Sequence, residues 1–150
     1  MSAKDPIRVY VTHAFASNPD YHRVFEYLEA LPNFFYRNVS VPDAVPQVGG
    51  KEALKEEYRV QLKTAEVVVV LGSLYIENEY WTTYQMDAAQ ASDLPLVALE
   101  PFGGNVKMPE AVAKRAAEVI GWNERVMIDA IRRQARHENT ARWDTIEFKL

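Results

Sequence analysis

Five consecutive apolar residues, Val67 to Leu71, constrain this chain more than any other stretch. The run is β-branched, short and has no polar side, which predicts a parallel strand at the centre of a sheet with both faces covered. A strand buried on both faces needs helices on both sides. The flanking sequence supplies them. Lys51 to Ala65 is a charged helical segment with Leu54, Tyr58 and Leu62 inward, and a second helix is predicted from about Asn78 to Ser92 after a Gly72-Ser73 turn and a polar loop.

The same alternation extends through the chain. Ile7 to Phe15 reads as the first strand. Asn18-Pro19 is a helix start, Asn at the cap and Pro in the first turn, followed by Tyr21, Val24, Phe25, Leu28 and Leu31 at helical spacing and closed by Pro32. Phe34 to Val41 is a second strand, interrupted by Arg37 and Asn38, and Val41 to Gly50 is a loop long enough to be functional. Leu96 to Glu100 is a further strand, Pro101 to Lys107 a loop, and Pro109 begins a helix. Glu118 to Trp122 is a short strand, and Asn123 caps a last helix through roughly Ala135, with Thr140 to Leu150 read as an added edge strand. The expectation is a single α/β domain over residues 1–150, doubly wound around a mostly parallel five-stranded sheet of flavodoxin-like form.

Composition removes several functions. With 48% hydrophobic and 25% charged residues the chain is globular, and its net charge of -4 disfavours nucleic acid as a partner. It has no cysteine, which excludes disulfides, thiolate metal sites and a cysteine nucleophile. The N-terminus lacks the apolar core of a signal peptide and no segment has the length of a membrane span, so the cytoplasm is the expected location.

Motifs for phosphate and metal chemistry fail on their details. Gly49-Gly50-Lys51 is followed by Glu52 and preceded by Val45 where a phosphate loop needs Gly, so it lacks both the first glycine and the Ser or Thr that holds magnesium. No GxGxxG follows a strand. Receiver-type acidic residues are missing from the ends of strands one and three. His13, His22 and His137 have no ligand spacing, so no metal site is predicted; His22 and His137 read as solvated helix residues. His13 lies at the carboxyl end of strand one, where doubly wound folds bind ligands. Ser73 lacks the GxSxG surroundings of a nucleophile elbow and reads first as a turn residue.

The remaining signal is Trp81 with Gln85. They are one helical turn apart, so their side chains are neighbours near the mouth of the sheet. Val9 to Phe15, Val67 to Leu71, Gly72-Ser73, Trp81, Tyr84-Gln85-Met86, the strand Leu96 to Leu99 and the tail from Trp143 together resemble the TIR-like domain family, most nearly the TIR-like proteins of Thoeris anti-phage defence. The resemblance implies NAD as a substrate rather than a resident cofactor. Such domains cleave nicotinamide from NAD and turn the ADP-ribose part into a diffusible signal for a downstream effector. They also self-associate, so a homo-oligomer is an expectation. By this resemblance NAD crosses the carboxyl ends of strands one and three. Thr12, His13 and Phe15 line one wall, Gly72 and Ser73 form the floor, and Trp81 packs near nicotinamide or ribose. The loop from Val41 to Gly50 is expected to influence which product leaves.

The family carries Glu four residues after the Trp; this chain carries Gln85. Breaking the N-glycosidic bond develops an oxocarbenium-like ribose that a carboxylate stabilises. A charge pair about 4 Å apart at an effective dielectric near 20 is worth roughly 4 kcal/mol. Losing it slows the step on the order of a thousandfold, while binding can survive. Gln85→Glu is therefore expected to release nicotinamide faster. Glu79 is a better substitute acid than Asp87, which points about 200° away from position 85 on the helix. Two other readings remain open: a non-catalytic module that binds a nucleotide or assembles, and a nucleoside deoxyribosyltransferase-like enzyme, which also needs a carboxylate nucleophile.

Overall fold

The computed structural model describes residues 4–138. Five strands, β1 (Ile7–Val11), β2 (Tyr36–Asn38), β3 (Val67–Leu71), β4 (Leu96–Leu99) and β5 (Glu118–Ile120), form one sheet in the order β2-β1-β3-β4-β5. Every neighbouring pair is parallel. This is the flavodoxin-like doubly wound arrangement, with its switch point between β1 and β3. The register pairs Val11 with Val69 and Val70 with Ala98.

Side-chain alternation divides the core. Val9, Val11, Val67, Val69, Val97 and Leu99 face α1 (Pro19–Leu28) and α6 (Glu124–Arg136). Tyr10, Val68, Val70, Leu96 and Ala98 face α2 (Gly50–Leu62), α4 (Glu79–Ala91) and the short α5 (Glu110–Ala113). The residues of β3 are all at most 2% exposed, which is why its sequence shows no polar alternation. Burying each such side chain contributes about 1.5–3 kcal/mol relative to leaving it in water.

The helices begin where their caps require. Asn18 accepts from the N–H groups of Asp20 and Tyr21, Asn78 from Trp81, and Asn123 from Val126. Gly72-Ser73 differs from expectation. It opens a helix, α3 (Gly72–Glu77), directly off the end of β3, and Asn78 then ends α3 and caps α4. The first strand stops at Val11, and Phe15 turns the chain out of line with a left-handed backbone at φ 56°. The second strand is three residues long: where its ladder with β1 would continue, the Val11 N–H meets Ser40 Oγ at 3.4 Å and the Val41 N–H donates to Gln61 Oε1 at 2.8 Å. The fifth strand ends at Ile120. The edge strand expected at 140–150 lies outside the described residues. Among the described residues, no helix is long and apolar enough to cross a membrane.

Candidate functional site

The carboxyl ends of β1 and β3 converge with α2 and α4, and this is where the sequence placed its site residues. Thr12 prolongs the strand pairing: its N–H donates to Val69 O at 3.0 Å, and its Oγ1 accepts from Leu71 N–H at 3.1 Å. The hydroxyl oxygen is thus engaged in joining β1 to β3, and Thr12 is fully buried.

Gln85 lies at the centre. Its Oε1 accepts from Tyr10 Oη at 2.6 Å and from the His13 N–H at 3.0 Å. Its Nε2 donates to His13 O at 2.8 Å and Trp81 O at 3.0 Å. The side chain is 0% exposed, and both lone pairs and both protons of the amide are in use. A helical stripe could have revealed this depth: Thr82, Gln85, Met86 and Ala89 are the buried residues of α4, at spacings of three and four.

His13 is 1% exposed. Its Nδ1 accepts from Phe15 N–H at 3.2 Å, which leaves the proton on Nε2, 2.8 Å from Gln61 Oε1. Burial pushes its pKa down to about 4, so the ring is neutral. Tyr58 Oη donates to His13 O at 2.6 Å. Burial raises the pKa values of Tyr10 and Tyr58, with the neighbouring Tyr58 adding to the effect at Tyr10, so both phenols remain protonated donors.

Gln61 repeats the motif on α2. It accepts from Val41 N–H at 2.8 Å and donates to Val41 O at 3.0 Å, fixing the start of the 41–50 loop. Tyr58 and Gln61 escaped sequence reading as site residues because their partners, His13 and Val41, are remote along the chain. The inward spacing of Tyr58 and Leu62 was the available signal.

Aromatic rings roof this polar layer. Phe15 packs against His13 and Tyr58 at centroid distances of 4.8 and 4.6 Å, and Trp81 against Tyr58 at 5.5 Å. Gly72 forms part of a tight floor on the β4 side. A Cβ there would lie 3.0 Å from Met108 Sδ, 3.1 Å from Pro101 Cδ and 3.2 Å from Leu99 O. Ser73 Oγ is buried without a hydrogen-bond partner.

The alternative acids stand away from this layer. Glu79 is exposed in the first turn of α4, and Asp87 is on the outer side, paired with Arg115 at 2.7 Å. His22 and His137 are exposed. Among the described residues, no group of three or more His, Asp or Glu side chains is arranged to hold a metal ion. No family model matches the chain, and no curated protein matches it.

Chemically, the centre is a hydrogen-bonded lock. It holds no carboxylate at position 85, its histidine is uncharged, and its amides are committed to backbone groups of His13, Trp81 and Val41 and to neighbouring side chains. It can fix the geometry of two loops. Position 85 offers no charge to a developing cation; the Glu57 carboxylate, which accepts from Gln61 Nε2 at 3.0 Å, borders the layer from α2.

Clefts open elsewhere. One of about 580 Å³ lies at the carboxyl end of β4, lined by Glu100, residues 104–108, Glu110 and Ala113. Another of about 510 Å³ lies among Glu66, Asp93, Pro95 and Gln134. In that second cleft, Glu66 is bound to Arg136 at 2.5 Å.

Proposed function

We propose that the protein is a TIR-like domain of the anti-phage defence type in which the acid position of an NAD-cleaving site has become a structural amide. NAD cleavage by this sequence is then abolished or strongly reduced, and the domain works in the cytoplasm as a nucleotide-binding or assembly module, coupled to a downstream effector. The fold is compatible with the resemblance carried by Val9 to Phe15, Gly72-Ser73 and Trp81. The observation that carries the non-catalytic reading is Gln85, fully buried with all four of its hydrogen-bonding positions occupied by protein.

A catalytic acid needs a charge and access to ribose, and Gln85 has neither in this arrangement. Its amide supports the ends of β1 and α4 instead. The deoxyribosyltransferase-like reading loses support for the same reason, because it also requires a carboxylate nucleophile in the pocket.

Mass spectrometry of NAD incubated with the native protein tests the proposal, with calorimetry for NAD and ADP-ribose alongside. Intact NAD is the expected result, with binding marking a nucleotide module and its absence an assembly module. Nicotinamide release by the native chain overturns the reading.

A further inference from the structure

Phe15 holds a backbone conformation that a bulky side chain seldom adopts. Its φ is 56°, in the left-handed region, where Cβ crowds the backbone. Such a residue persists only where its surroundings impose it, and residues of this kind gather at clamps and switches. The His13 imidazole contributes twice to holding it. The Phe15 N–H donates to His13 Nδ1 at 3.2 Å, and the Phe15 ring packs edge-on against the same imidazole at 4.8 Å.

A backbone N–H can only donate, so Nδ1 accepts and the proton of the neutral ring is on Nε2. That proton goes to Gln61 Oε1 at 2.8 Å. The direction of the Gln61 amide is settled in turn by groups with fixed roles. Oε1 accepts from Val41 N–H at 2.8 Å, and Nε2 donates to Val41 O and to Glu57 Oε2, each at 3.0 Å. Each contact therefore fixes the next. The seat of Val41 orients the amide, the amide selects the histidine tautomer, and the tautomer holds Phe15.

The relay has a second self-consistent setting. With the amide turned over, Nε2 faces the His13 ring and donates to it. His13 then carries its proton on Nδ1 in place of Nε2, so the ring stays neutral with its proton count unchanged. Nδ1–H now opposes the Phe15 N–H, donor against donor, and Phe15 loses the bond that keeps it left-handed. The turned amide also sets Nε2 against Val41 N–H and Oε1 against Val41 O and Glu57. The second setting is thus closed while Val41 and Glu57 are seated. We propose that Phe15 is a gate over the polar layer, held shut by the Nε2-protonated tautomer of His13 and released when Val41 leaves Gln61 and the amide turns. Opening withdraws the Phe15 ring from His13 and from Tyr58, 4.6 Å away, and uncovers an imidazole that is 1% exposed when the gate is shut. The device does not depend on whether the domain binds a nucleotide or assembles.

Ring-nitrogen NMR of His13 reads the tautomer, and amide hydrogen exchange reads the gate. In the native protein the proton is expected on Nε2 and the Phe15 amide is expected to be protected. Gln61→Leu removes the acceptor of Nε2. His13 should then show both tautomers, and the Phe15 amide should exchange at least about tenfold faster. The Thr12 amide, which donates to Val69 O, should keep its rate. Gln61→Glu still accepts from Nε2 but cannot donate to Val41 O, so it should keep the native tautomer and a protected Phe15. A ring proton on Nδ1 of the native protein, or an unprotected Phe15 amide there, overturns the gate without any variant. Native Phe15 exchange in Gln61→Leu overturns it too, as does equal loosening of Thr12. So does a Gln61→Glu chain that frees Phe15 with the proton still on Nε2. Should Gln61→Leu fail to fold, the native tautomer and Gln61→Glu decide.

Discussion

Gln85 grips both backbone polar groups of His13, accepting from its N–H at 3.0 Å and donating to its carbonyl at 2.8 Å. The two residues are 72 positions apart in sequence. The contact therefore joins the first strand's exit to α4 by a two-point bond that resists rotation as well as separation. An amide is suited to this because it offers a donor and an acceptor side by side.

Replacing the amide separates its roles. Gln85→Leu leaves the Tyr10 hydroxyl and the His13 N–H without their acceptor in a buried site, at a cost of about 1–3 kcal/mol for each group left unsatisfied. Urea unfolding of Gln85→Leu should show a loss of at least about 2 kcal/mol, and an unchanged midpoint would contradict the lock.

Gln85→Glu should behave differently with pH. An ionised carboxylate would set lone pairs against His13 O and Trp81 O, whereas a protonated one can still donate to one of them. The carboxyl pKa in the folded variant is therefore expected to rise above its unfolded value of about 4.3. A raised folded pKa gives stability that is present below the unfolded value and is lost as pH rises through the folded one. The gap in Tm between Gln85→Glu and the native protein should widen from about pH 4 to about pH 7. A gap that stays constant would mean that the carboxylate is accommodated.

His13 gives an opposite dependence. Its folded pKa of about 4 lies below the unfolded value near 6.5. The unfolded chain takes up the proton first as pH falls, so stability is complete above about 6.5 and declines towards about 4. The difference in unfolding free energy between about pH 7 and about pH 5 should shrink by roughly 2 kcal/mol in His13→Phe, measured against the native chain. An equal pH dependence in both would show that another group carries it.

Gly72→Ala probes the floor. Met108 can shift, but Pro101 Cδ at 3.1 Å and Leu99 O at 3.2 Å belong to a stiff ring and a strand backbone. Overpacking of this kind costs about 1–3 kcal/mol. Thermal unfolding should show the loss, and full native stability would imply that the β4 loop yields.

Ser73→Ala tests a different term. The Ser73 hydroxyl is buried without a partner, so removing it relieves an unmet polar group. The variant should equal the native protein in stability or exceed it by up to about 1 kcal/mol. A clear loss in denaturant melts would indicate a hydrogen bond made by Ser73 in solution.

Local pattern made much of the fold legible. The valine run announced a central strand because both of its faces are buried, and Asn18 and Asn123 announced helix starts because capping is a contact over two or three residues. Position 85 was legible as a neighbour of Trp81. Its depth was legible only through the α4 stripe of Thr82, Gln85, Met86 and Ala89; its partners, Tyr10 on β1 and His13 just past it, were not, because they are remote along the chain. The same holds for Gln61 and Tyr58. The shortened second strand reflects side chains, Ser40 Oγ and the remote Gln61, that take the next ladder groups of Val11 and Val41, which a propensity for extended backbone does not register. Gly72 looked like a turn because glycine is common there; its actual constraint is the approach of β4 residues from across the sheet.

The hold of Gln61 on Val41 ties the 41–50 loop back to the helix it leads into. Gln61 belongs to α2, and α2 begins at Gly50, so both ends of the loop rest on one helix. Between them Val48 is 84% exposed. The segment is a bight whose two feet stand on the same footing. The same Gln61 amide receives the His13 ring proton, so that footing also carries the β1 exit.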